Sequence, residues 1–70
     1  MMGMLTDKAR GNRVRLIAKF IANHSRERLA ADCLVSVGTV RAWEEGTLPS
    51  SLRLPTLARV LDCTLEEIVG

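Results

Sequence analysis

The side chains in this 70-residue chain best placed to do chemistry are cations, and most of them crowd into one half. Lys8, Arg10, Arg13, Arg15, Lys19, Arg26 and Arg28 face only Asp7 and Glu27 within residues 1–28, a local balance of seven minus two, or +5. Residues 29–70 carry Arg41, Arg53 and Arg59 against Asp32, Glu44, Glu45, Asp62, Glu66 and Glu67, or three minus six, −3. The formal net charge of +2 therefore conceals a basic half. Guanidinium and ammonium groups gathered on one face suit the phosphates of a polyanion. A plain solvated helix surface is the alternative that charge alone leaves open.

Other chemistries find no support. Cys33 and Cys63 stand alone among apolar residues, whereas a metal site needs closely spaced Cys or His ligands. They read as buried, reduced thiols of a cytoplasmic protein. His24 falls in a joint between helices and reads as a capping or packing residue. No Ser-His-Asp set, carboxylate pair or phosphate-cradling glycine loop can be assembled, so neither an enzyme nor a cofactor nor a metal is expected. No apolar run approaches membrane-spanning length, and Met1-Met2-Gly3-Met4-Leu5 is too short for a secretory leader.

The elements that must position these cations are helical. Hydrophobic residues form 47% of the chain, yet Phe20 and Trp43 are the only aromatics, so the core must be aliphatic. Residues 1–9 read as a flexible arm, and residues 10–70 as one domain. Val14, Ile17, Ala18 and Ile21 recur at helical spacing from about Arg10 to Ala22, with Leu16 and Phe20 widening the stripe. Arg13, Arg15 and Lys19 fall mostly on the opposite side, and Asn23 stops the helix. Ser25 caps a second helix over Arg26 to Cys33, which buries Leu29, Ala30 and Cys33. Leu34-Val35 connects it to a third, capped by Ser36 and running to about Glu45, with Val40 and Trp43 inward and Gly46 as terminator. After a loop over 47–53, Pro55 opens a fourth helix through Leu61, and Thr64 caps a short fifth over Leu65 to Val69. The expected fold is all-α, compact, and built from five helices.

The stretch from Arg26 to Glu45 is the informative one. A small Ala30 lets a second helix approach the backbone, Val35 plugs the turn, and Val40 and Trp43 face inward one turn apart. The set Ser25-Arg26-Glu27-Arg28-Leu29-Ala30, Val35-Ser36, Thr39-Val40 and Trp43-Glu44-x-Gly46 resembles the Cro and phage-repressor-like (XRE-type) helix-turn-helix regulators. Leu54-Pro55-x-Leu57-Ala58-x-x-Leu61 and Thr64-Leu65-Glu66-Glu67-Ile68 are similar to that family's fourth and fifth helices, so the resemblance covers residues 25–68 without a gap. It implies a lambda-repressor-like domain whose third helix docks in the DNA major groove while the second crosses the backbone.

Carried over position by position, the resemblance puts Val37, Gly38 and Ala42 against base edges, and Arg26 and Thr39 against phosphates. Thr47 and Leu48 fall in a loop that approaches the backbone. Ser36 and Arg28 complete the expected phosphate set. Arg41, the only cation on the third helix, is the best candidate for a base-edge contact, with a surface ion pair to Glu44 or Glu45 as its alternative role. Val37, Gly38 and Ala42 can touch a thymine methyl but offer no bidentate readout. Leu34 stands where the family has glycine; a left-handed Leu costs on the order of 1–2 kcal/mol, so a distorted turn is expected. The resemblance also implies a pair between helix one and Glu44, which by count falls to Lys19. The function expected is a DNA-binding transcriptional regulator, a repressor acting on double-stranded DNA as a homodimer. The other reading is a protein-interaction module on the same scaffold, such as an antitoxin or adaptor.

Overall fold

The computed structural model describes residues 2–69, with side chains described from Lys8 onward. Five helices follow in order: α1 (Met2–Asn23), α2 (Arg26–Cys33), α3 (Val37–Glu44), α4 (Leu54–Val60) and α5 (Leu65–Val69). No strand occurs among the described residues, as the all-helical expectation requires. Among the described residues, no helix is long and apolar enough to cross a membrane.

The largest departure from expectation is α1. Its backbone is helical from Met2, well ahead of Arg10, so residue 9 marks no end of an element. Further along, α5 lies against α1, and Asn12 Nδ2 donates to Glu67 O at 2.7 Å. This docking buries Ala9. The inward stripe is therefore Ala9, Arg13 and Ile17, with Leu16, Phe20 and Ile21 packed beside it. Ala18, expected inside, is exposed, and Val14 is only half buried. Arg13, expected outside, is 3% exposed.

Arg13 sits inside because its guanidinium fork finds two main-chain acceptors. Nη1 donates to Ile68 O at 2.8 Å and Nη2 to Gly46 O at 3.0 Å. Ile68 O lies in the last turn of α5, where helix carbonyls lack internal partners and carry partial negative charge. Burial pushes the Arg13 pKa down from its ordinary value, helped by the nearby Arg10 charge. One side chain thus ties α1 to the ends of both α3 and α5.

The remaining core forms where α2, α3, α4 and α5 meet α1: Leu29, Ala30, Cys33, Val40, Trp43, Leu57, Ala58 and Ile68 are all buried. The inward residues expected of α2 and α3 are all among them. Cys33 is buried and free; Cys63 is free but only half buried, a correction to its expected place inside. Burial pushes both thiols up, away from the reactive thiolate. His24 packs its ring on Phe20, with centroids 4.5 Å apart.

Side-chain caps open α2, α3 and α5, while α4 starts without one, with Pro55 in its first turn. Ser25 Oγ accepts from Arg28 N at 2.9 Å, and Ser36 Oγ accepts from Thr39 N at 3.2 Å. Thr64 and Glu67 form a reciprocal capping box: Thr64 Oγ1 accepts from Glu67 N at 3.2 Å, and Glu67 Oε1 accepts from Thr64 N at 3.3 Å. Three helices end in the same left-handed wrap. Val35 N reaches Ala30 O after α2, Thr47 N reaches Ala42 O after α3, and Cys63 N reaches Ala58 O after α4, each at 3.0 Å. The left-handed residues are Leu34 (φ 58°), Gly46 (φ 105°) and Asp62 (φ 57°).

The turn at Leu34 is regular, not distorted as the sequence suggested. Its ψ of 44° completes ordinary left-handed geometry, and the two wrap hydrogen bonds outweigh the steric cost. That cost is removable, because Leu34 is 78% exposed and contributes no core packing. Leu34→Gly relieves about 1–2 kcal/mol of strain against ~0.4–1 kcal/mol of lost backbone restriction in the unfolded chain. The variant should melt a few degrees higher by circular dichroism; an unchanged or lower melting temperature contradicts the strain assignment.

Candidate nucleic-acid interface

The outward side of α3 and its neighbours resolve into two shallow grooves. The first lies between α3 and the 47–53 loop. It brings together Ser36, Gly38, Thr39 and Ala42 from α3 and its cap with Thr47, Leu48, Ser50 and Arg53 from the loop. The second lies at the end of α3 beside the start of α2 and is lined by Arg26, Arg41, Glu44 and Glu45.

Of the expected site residues, Ser36, Gly38, Thr39, Ala42 and Thr47 share the first groove, and Arg26 and Arg41 share the second. Ser36 and Thr39 hold their hydroxyls 3.0 Å apart at the start of α3, so both stand at the exposed N–H end of the helix. Pro49 is buried and anchors the loop, while Thr47 and Leu48 beside it point outward. Val37 is half buried and packs against the core, which draws it back from the outer face. The reading of the sequence missed Arg53 and Ser50. A basic residue in a serine-bearing loop just before Leu54-Pro55 was the available signal.

The cations differ in how free they are. Arg26 Nε lies 2.5 Å from Glu44 Oε2 and its Nη2 donates to Glu44 Oε1 at 3.0 Å, a two-pronged pair between α2 and α3. This corrects the expected Lys19–Glu44 pair. Lys19 is exposed and borders a different cleft, with Phe20, His24, Leu61 and Asp62. A planar guanidinium fork matches both carboxylate oxygens at once, which a single ammonium cannot do. Arg28 Nε lies 3.2 Å from Asp32 Oδ2, one turn along α2. Arg41 is exposed and makes no direct ion pair among the described residues, although it shares the groove with Glu44 and Glu45 and its charge also helps hold the Glu44 carboxyl down.

Glu44 consequently masks part of the basic face. The hydrogen bond from Arg26 holds its carboxyl below the usual carboxylate range, against the opposing effect of burial. With the folded pKa depressed, the pair's contribution to stability is fully present above the unfolded carboxylate value of about 4.3 and is lost as pH falls through the lower folded value. Glu44→Gln removes that acid-sensitive contribution and releases one guanidinium. Duplex DNA affinity should rise about fivefold, with the salt slope steeper by roughly 0.9. A folded Glu44→Gln protein that binds no tighter than wild type would show that Arg26 meets no phosphate.

A family model described as helix-turn-helix matches residues 13–68, which takes in α2, α3 and both grooves. No curated protein and no solved structure matches the chain.

Proposed function

Because the chain belongs to the Cro and phage-repressor-like (XRE-type) helix-turn-helix family, a family of DNA-binding regulators, we propose that it is a sequence-specific transcriptional repressor that docks α3 in the major groove as a homodimer. The observation that carries this reading is the groove beside α3, where the small residues Gly38 and Ala42 face a loop bearing Thr47, Ser50 and Arg53. Such an arrangement admits a base-pair edge on one side and a backbone phosphate on the other. Arg41, exposed on the same helix, adds a fork for a base edge. The cytoplasm is the site of action in this reading.

The homodimer is supported by a third, mainly apolar groove in which Ala9, Leu48, Leu54, Leu65 and Val69 stand beside Arg10, Arg13 and Gly46. Leu48, Leu65 and Val69 are three of the exposed large hydrophobics, and a groove holding both knobs and a hollow suits self-association about a two-fold axis. The same groove favours the second reading, in which a different protein sits there.

The test is fluorescence anisotropy with the DNA upstream of the chain's own gene, followed across a salt series, with sedimentation in parallel. Specific binding that weakens steeply with salt and sediments as a two-to-one complex supports the repressor. Binding no tighter than to random DNA, by a monomer, points to the interaction module.

A further inference from the structure

Gly38 has no structural reason to be glycine. It lies within α3 with ordinary helical geometry, and a Cβ placed there would meet only Ser36 Oγ, at a relaxed 3.8 Å. Gly46 is the contrast: its φ is 105° and a Cβ would come within 3.1 Å of Arg10 Cδ. Glycine in a helix is less favourable than alanine, so the fold loses by having it at 38. The space above Gly38 opens into the groove that Ala42 and Leu48 also border. Those three residues offer hydrocarbon or bare backbone, and no side-chain donor or acceptor. None of these three residues can hydrogen-bond the edge of a base through a side chain; that is left to the groove's hydroxyls and to Arg53. The surface they form can seat a small apolar knob, and the major groove presents one such group, the methyl on C5 of a pyrimidine.

Resting on the DNA-binding reading above, we infer that the hollow over Gly38, walled by Ala42 and Leu48, selects DNA by the 5-methyl group of a pyrimidine, with Thr47, Ser50 and Arg53 holding the adjacent phosphate. Thymine and 5-methylcytosine both carry that methyl.

The probe is the tightest duplex selected from a random pool, prepared with thymine, with every thymine replaced by deoxyuridine, and, at each thymine whose single deoxyuridine replacement weakens binding, with cytosine or 5-methylcytosine paired to guanine. Affinity for the deoxyuridine form should fall about fourfold for each methyl seated. Tighter binding with 5-methylcytosine than with cytosine at that position identifies 5-methylcytosine as an accepted source; no difference assigns the site to thymine. Gly38→Ala fills the hollow. It should melt higher than wild type, yet bind the thymine duplex more weakly and lose the thymine-to-deoxyuridine ratio. Arg53→Ala should weaken binding to all forms and keep the ratio. Equal affinity for the thymine and deoxyuridine duplexes, or a Gly38→Ala protein with an unchanged ratio, overturns this inference and leaves DNA binding standing. Failure to select any duplex from the pool overturns both.

Discussion

Arg13→Ala should cost the domain about 3 kcal/mol and lower its melting temperature by roughly 12–24 °C. The two carbonyls that Arg13 satisfies belong to Gly46 and Ile68, residues brought to α1 only by the folded chain. Removing the guanidinium leaves both acceptors without their donors, each costing about 1–3 kcal/mol where water cannot replace it. The truncated side chain also leaves a gap beside Ile17 and Ile68 that a domain this small cannot readily close. Arg13→Met keeps most of the volume and isolates the polar part of the loss. Arg13→Lys keeps the charge but cannot span two acceptors with one ammonium, so it should rescue little. Thermal or urea unfolding checks all three. An Arg13→Ala protein within about 1 kcal/mol of wild type would mean that the guanidinium merely replaces water at those carbonyls.

Arg41→Ala should weaken binding to the selected duplex ten- to a hundredfold while leaving the fold within about 0.5 kcal/mol of wild type. To meet a phosphate, Arg26 and Arg28 would each have to leave a carboxylate, whereas Arg41 on α3 has no ion pair among the described residues and only its charge acts on Glu44. Its fork is suited to the paired acceptors of guanine, worth about 1–3 kcal/mol of discrimination. A base contact and a phosphate contact separate cleanly in the variants. Arg41→Lys fails to restore a bidentate base contact, and base preference at one position relaxes. A phosphate contact would instead be restored by lysine, and alanine would reduce the salt slope by about one. Binding within twofold of wild type for Arg41→Ala removes it from the interface.

The helix-turn-helix core was legible because its signals are local. Ser25, Ser36 and Gly46 mark helix ends by their own chemistry, and Leu29, Ala30, Val40 and Trp43 occupy the spacing two crossing helices need. The inward side of α1 was not legible, because its central residue is an arginine. Helical periodicity counts apolar residues, and an Arg buried by carbonyls at positions 46 and 68 breaks no rule a window of sequence can see. Ala9, Arg13 and Ile17 are spaced four apart, yet only the docked α5 turns that spacing into a buried stripe. Glu44 failed differently: its acceptor role was foreseen, but its partner came from α2 because Arg26 could offer a fork. In the candidate site, the residues on α3 followed from the family register. Arg53 did not, because loop geometry decides which side chains meet a helix across a groove.

The left-handed Leu34 bears on how this chain can change over generations. A domain of this size sits close to the minimum stability it needs, so most substitutions that retarget a binding face risk unfolding it. Leu34 is a position where one replacement restores lost ground without touching either groove. A descendant with that change could tolerate a costlier residue on α3, and so acquire a new binding preference by steps that its ancestor could not survive.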